Sequence, residues 1–232
     1  MTNVEKSEED HIAEARSRLL EAMLPHVAFD GWSQTSLNEA VAETGVEPGL
    51  AKLAFPRGGV DMALAFHRAK DDELVAVLEG SGSVQSMRIR DRITHCVRRR
   101  IELVSDDREA VRRGATLFAL PIHAPEGARA MWETADKIWT LCGDTATDYN
   151  WYTKRAILSG VYSSTVLYWL GDEDPTGRAT WDFLDRRIDD VMQFEKVKAA
   201  VRDNPLAKAA LAVPNAMLGM IRAPGTRGTP GG

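Results

Sequence analysis

Apolar residues recur every three or four positions along almost the whole chain, and no window shows the sustained alternation of β-branched residues that marks a half-buried strand. The pattern predicts an all-α fold. The first helix carries Ile12, Ala15, Leu19, Met23 and Val27 on one face. It should stop near Asp30 and Gly31, where glycine tolerates a left-handed termination. Further breaks come at Gly45, Pro48, the PRGG of 56–59, the GSGS of 80–83, 121–125, Gly143 and 171–175, and they leave about nine helical segments. Asn204 and Pro205 interrupt the chain once more before a last apolar stretch. The expected organisation is a disordered N-terminus over 1–10, a helix-turn-helix subdomain over 11–58 and a larger helical domain over 59–200. An amphipathic helix over 205–222 and a Gly- and Pro-rich disordered tail over 223–232 complete it.

Two segments of the larger domain depart from ordinary amphipathicity. Residues 156–170, AILSGVYSSTVLYWL, hold no charge, and a helix apolar all round is buried on all sides. Ile157, Val161, Tyr162 and Val166 supply bulk, while Ser159, Gly160, Ser163 and Ser164 leave room. The run fits either a plain core helix or one that packs on its own domain with one face and meets a second subunit or an apolar ligand with the other, and Trp132 from the preceding segment fits either core or binding site. The next segment sets Trp181, Leu184, Ile188, Val191, Met192 and Phe194 against an outer face of Asp and Arg. Two such closing helices, paired with their twofold mates, would make a four-helix dimer interface.

The C-terminal stretch 206–222 reads LAKAALAVPNAMLGMIR. On a wheel of ~100° per residue, Lys208, Ala212, Asn215, Gly219 and Arg222 form one narrow stripe. Leu206, Leu211, Val213, Met217, Leu218, Met220 and Ile221 make up the apolar remainder. The stretch is too short, and too interrupted by Pro214, to span a bilayer, but it suits lying in the interface of one; the competing reading is a last core helix.

Residues 32–55, WSQTSLNEAVAETGVEPGLAKLAF, read as a helix, a turn at Gly45 and a second short helix. From Trp32 to Pro56 the segment resembles the DNA-binding segment of the Tet repressor family. The contact chemistry does not follow. Where that family places hydroxyls, a tyrosine, a histidine and lysines, this chain has Glu47, Pro48, Leu50, Ala51, Lys52, Ala54 and Gly58. Between 30 and 61, Asp30, Glu39, Glu43, Glu47 and Asp61 outnumber Lys52 and Arg57, whereas DNA-binding modules neutralise several phosphates per site. The expectation is a helix-turn-helix that has kept its packing and lost its target, with no nucleic acid partner.

Composition narrows the chemistry further. A net charge of -5 gives no electrostatic pull toward polyanions. The isolated cysteines Cys96 and Cys142 form neither a disulfide framework nor a zinc pattern, and fit a reducing, cytoplasmic setting. The acidic start MTNVEKSEEDH lacks the apolar core of a secretion signal. His11, His26, His67, His95 and His123 are scattered, none beside a nucleophile. The lone Glu-x-x-His at Glu8 and His11 lacks the second motif and the extra carboxylates of a di-iron bundle. No catalytic residue, metal ligand or cofactor site is expected.

The stretch 131–190, above all GDTATDYNWYTKRAIL and TWDFLDRRIDD, resembles the ubiquinone (coenzyme Q) biosynthesis accessory protein family, whose members adopt a Tet repressor-like fold without acting as repressors. The AFDGW near Trp32 and the LPIHAPEGA near Leu120 fit the same family. The resemblance implies a homodimeric, non-catalytic lipid-binding protein, peripherally associated with the inner membrane through its C-terminal helix. It would bind isoprenoid quinone precursors and present them to a ubiquinone-pathway hydroxylase. Carried over, the family's partner-facing surface falls on Asp148, Asn150, Trp151, Tyr152 and Arg155, with Ile138 and Trp139 on the preceding helix. A ligand-responsive regulator of the Tet repressor type is the alternative.

Overall fold

The computed structural model describes residues 2–82 and 84–203, and among these the chain forms nine α-helices, one 3-10 turn and no strand. The helices are α1 (Thr2–Asp30), α2 (Gln34–Thr44), α3 (Pro48–Ala54), α4 (Gly59–Ser81), α5 (Ile89–Glu102), α6 (Arg108–Phe118), α7 (Ala124–Leu141), α8 (Tyr149–Gly171) and α9 (Arg178–Asp203). Helix α1 begins at Thr2, so residues 2–10 are helical and not the unstructured leader expected there. It ends at Asp30, with Gly31 at φ 69°, as the apolar stripe and the glycine require. The helix expected over 205–222, with Leu206, Leu211, Val213, Met217, Leu218, Met220 and Ile221, lies outside the described residues, as does the tail.

Contacts divide the chain into two compact units, the first comprising Met1–Leu74 and Arg100–Ala130. Its core stripe on α1 is Ala15, Leu19, Met23 and Val27, all buried, with Ile12 half-buried. Against it pack α2, α3 and α6. Ser33 caps α2 by accepting from the Ser36 amide, and Gly45 ends it in the left-handed conformation at φ 66°. Pro48 opens α3 behind Glu47, whose carboxylate accepts the Leu50 amide at 3.0 Å. From α1, Arg18 donates to the Thr44 carbonyl at 2.7 Å and Arg16 to the Ala54 carbonyl at 3.1 Å, closing the C-terminal ends of both short helices. Trp32 anchors the junction with α4. Its indole N–H donates to the Ala110 carbonyl at 3.0 Å, and a Cβ at position 59 would lie 2.0 Å from the Trp32 carbonyl oxygen, so only glycine fits there.

A buried ion pair completes this unit. Arg100 Nε donates to Asp71 Oδ1 at 2.6 Å with the two side chains 2% and 1% exposed, and a second guanidinium nitrogen donates to the His67 carbonyl at 3.0 Å. Removing one partner of such a pair strands a charge out of water.

The second unit comprises Val75–Arg99 and Met131–Gly232 and is described here through Asp203. Helices α8 and α9 pack together, with Leu158, Val161, Leu184 and Ile188 all buried, and Tyr168 stacks on Phe183 with ring centroids 4.6 Å apart. Arg90 on α5 holds α9 by donating to Asp189 at 2.7 Å and Asp185 at 3.4 Å. Of the uncharged run 156–170, Leu167 is 63% exposed and Tyr168 40% within the single chain, which leaves open the face expected to meet a second subunit or an apolar ligand.

Arg100→Met should destabilise the protein by about 3–5 kcal/mol, whereas the double change with Asp71→Leu should recover most of that loss. Urea denaturation of the two variants checks this.

Candidate functional site

The site of interest is built on the turn that joins α7 to α8. Helix α7 ends with Gly143 at φ 79°, the Gly143 amide donating to the Thr140 carbonyl at 2.9 Å and the Asp144 amide to the Trp139 carbonyl at 3.0 Å. Helix α8 begins at an Asp148 N-cap, whose carboxylate accepts the Asn150 amide at 3.0 Å and the Asn150 side-chain amide at 2.8 Å. The sequence motif TDYNWYT is therefore the entry to this helix.

Between the caps lies a charge network. Asp144, its side chain 2% exposed, accepts from Lys154 Nζ at 2.7 Å and from Arg155 at 3.0 Å. Arg155, 3% exposed, also donates to Asp136 on α7 and to the Trp151 carbonyl, and its guanidinium lies 4.1 Å from the centroid of the Trp151 ring. Two carboxylates meet two cations, and hydrogen bonds satisfy the groups that are out of water. Burial opposes ionisation of Asp144, but the hydrogen bonds from Lys154 and Arg155 outweigh it and hold the carboxyl below the ordinary aspartate range.

Beside the network lies a cavity of about 380 Å³, in the size range of small-molecule sites. Its walls are Ile89 and Ile93 of α5, Trp139 of α7, Ile157, Leu158 and Val161 of α8, and Ile188, Val191 and Met192 of α9. Cys142, Gly143, Asp144, Thr145 and Lys154 form its remaining edge. Both cysteines are free and buried, and the Cys142 thiol is pushed up by its hydrogen bond with Cys96 and by burial, so this part of the wall stays uncharged. An adjoining polar pocket of about 470 Å³ is lined by Thr145, Ala146, Thr147, Asp148, Asn150, Thr153 and Lys154.

The residues expected at this site are divided by the fold. Tyr152 is 37% exposed, Asp148 is exposed, and Asn150, Trp151 and Trp139 are half-buried. Trp151 and Tyr152 pack edge to face at 4.8 Å, and Trp132 joins them at 5.8 and 6.3 Å. Two members expected to face a partner do not. Ile138 is 0% exposed, on the core side of α7, and Arg155 is committed to Asp136 and Asp144. Of the residues expected to bind lipid, Ile157 and Val161 line the cavity. Trp132 belongs instead to the aromatic cluster, Tyr162 is buried elsewhere and Val166 is half-buried, neither among the lining residues.

The small residues expected to make room, Ser159, Gly160, Ser163 and Ser164, are not lining residues either. Ser159 and Ser163 return their hydroxyls to carbonyls one turn back, and the Ser159 hydroxyl also lies 3.4 Å from the Met131 carbonyl on α7. The space lies instead among residues of four helices, α5, α7, α8 and α9. Sequence periodicity missed Ile89, Ile93, Ile188, Val191 and Met192 as cavity residues because a core-facing stripe and a cavity-facing stripe have the same spacing. Among the described residues no cluster of three or more His, Cys, Asp or Glu is placed to hold a metal, and no helix is long and apolar enough to cross a membrane.

Residues 124–195 match the model of the COQ9 family. The chain is 30% identical over 183 residues to the mitochondrial ubiquinone biosynthesis protein COQ9 of Drosophila melanogaster, covering 78% of this chain and 56% of that one. With the Rattus norvegicus protein of the same name the identity is 30% over 197 residues, covering 82% and 63%, and with that of Homo sapiens 28% over 197 residues, covering 82% and 62%. The matched span is thus less than two thirds of the length of these curated relatives. A TetR transcriptional regulator from Nitrosomonas europaea superposes with a TM-score of 0.62 at 18% identity, over 75% of this chain and 95% of that one, which shows the Tet repressor-like fold. The family match includes α7, the turn and α8, and so the whole Asp136, Asp144, Lys154 and Arg155 network.

Asp144 has a lowered folded-state pKa, so its contribution to stability is complete above the ordinary aspartate value of about 3.9 and is lost as the pH falls through the lower folded value. Asp144→Asn should therefore be less stable than the native chain at pH 7, and the gap should close progressively below pH 4. Thermal melts across that pH range read both features.

Proposed function

Because the chain belongs to the COQ9 family, we propose that it is a non-catalytic lipid-binding accessory protein of ubiquinone biosynthesis, which takes up isoprenoid quinone precursors and presents them to a partner hydroxylase. The observation that carries this reading is the apolar cavity walled by Ile89, Ile93, Ile157, Val161, Ile188 and Met192 directly behind the turn that leads into the aromatic motif. A long apolar tail gains by leaving water for such a wall, at roughly 25 cal/mol per Å² of apolar surface buried. On the outer side, Trp151 and Tyr152 offer large, stiff contact area among Asp148 and Asn150, the mixture that partner-binding hot spots use.

The remaining parts of the proposal draw on different features. A homodimer would cover the exposed apolar groups Leu167 and Tyr168 on α8. Peripheral membrane attachment rests on the amphipathic 206–222 stretch of the sequence. The regulator alternative draws no support from α3, where the Glu47 carboxylate occupies the helix N-terminus and Lys52 is the sole basic residue.

Mass spectrometry of lipid extracted from the purified full chain should find an isoprenoid quinone or another molecule with a long apolar tail in near-stoichiometric amount; lipid-free protein would reject the cavity as its binding site. Tyr152→Ala should weaken association with the hydroxylase about tenfold while costing the fold only about 1 kcal/mol for its ring contacts, so that the loss of binding exceeds what thermal melts show. Undiminished capture of the hydroxylase would place the docking surface elsewhere.

A further inference from the structure

The apolar cavity and the polar pocket beside it share two lining residues, Thr145 and Lys154. One compartment is walled by hydrocarbon, the other by Thr147, Asp148, Asn150 and Thr153. Lys154 stands at their junction with its ammonium fixed from two sides, 2.7 Å from Asp144 Oδ1 and 5.0 Å from the centroid of the Trp139 ring. An ammonium has three N–H donors, and Asp144 takes one of them. The Lys154 side chain is 38% exposed, so an incoming oxygen can reach it.

A ligand of hydrocarbon alone has nothing to offer this junction. Covering Lys154 and the Thr145 hydroxyl with methylenes would strip water from polar groups and give no hydrogen bond in return. We infer that the site takes a single-tailed amphiphile tail first, with an oxygen-bearing head, a carbonyl or hydroxyl, held at Lys154 and Thr145. This rests on the lipid-binding reading above and adds the orientation of the ligand and the residues that hold its head. The tail is sheltered among Ile93, Ile157, Val161 and Met192, and the head emerges in the polar pocket. That pocket is lined by the same turn of α8 that carries Trp151 and Tyr152, so the end of the ligand that undergoes chemistry is the end nearest the proposed docking surface. Asp144 then has a second role. By pinning Lys154 it directs the remaining N–H groups without letting the free charge swing into solvent.

The test uses the full chain stripped of lipid and two probes with the same short isoprenoid tail, one ending in a quinone ring and one a hydrocarbon without oxygen, titrated by calorimetry. The native chain should bind the quinone about tenfold tighter, the size expected of one hydrogen bond to a charged donor at a partly exposed site. Lys154→Met should bring the quinone to the level of the hydrocarbon and leave the hydrocarbon within about twofold, since Asp144 keeps its bond to Arg155. Thr145→Val, at an exposed position, should give a smaller loss of the same preference and carries the test if Lys154→Met does not fold. Equal affinity of the native chain for both probes, or a preference that survives both substitutions, overturns the head-group assignment and leaves the lipid cavity standing. Failure of the native chain to bind either probe overturns both readings.

Discussion

The α7–α8 corner depends on one buried carboxylate. Asp144 follows a left-handed glycine at the end of α7 and receives Lys154 and Arg155 from the second turn of α8, while Arg155 reaches back to Asp136 on α7. This closed set fixes the angle at which α8 leaves the turn. Taking four charges partly out of water is costly, and the arrangement persists because each charge meets an opposite one in hydrogen-bonding geometry. The two rings next to these cations, Trp139 and Trp151, are held by them and not by hydrocarbon packing alone.

From that corner the two faces of the site follow. Inward, α5, α7, α8 and α9 enclose a cavity lined largely by branched aliphatic groups and edged by the Asp144 turn. Outward, the turn and the first turn of α8 set Asp148 and Tyr152 at the surface, with Asn150 half-buried between them.

In the first unit, arginines around the helix-turn-helix are engaged in structure. Arg16 and Arg18 close the ends of α3 and α2, Arg57 pairs with Asp61 and Glu126, and Arg100 is buried on Asp71. A repressor-like skeleton survives such reassignment because its stability comes from the apolar stripe of α1 and from Trp32, neither of which touches a nucleic acid surface.

Local rules made much of this legible in advance. The stripe from Ala15 to Val27, the turn at Gly45, the stop at Gly31 and the break at Gly143 are set by side-chain spacing and by backbone conformations that glycine alone adopts cheaply, so they can be read one residue at a time. The crowding of aromatic rings at TDYNWYT stood in the sequence itself, and the family came from the resemblance of that motif, not from spacing. What the tertiary structure decided was direction: that Ile138 turns into the core, that Arg155 faces Asp144 rather than a partner, that Trp132 joins the aromatic cluster, and that Ile89 and Met192 share one wall. Periodicity states that a face is apolar but not whether a side chain, a ligand or a second chain will cover it. That answer depends on the distances between helices far apart in sequence, which only the assembled fold sets.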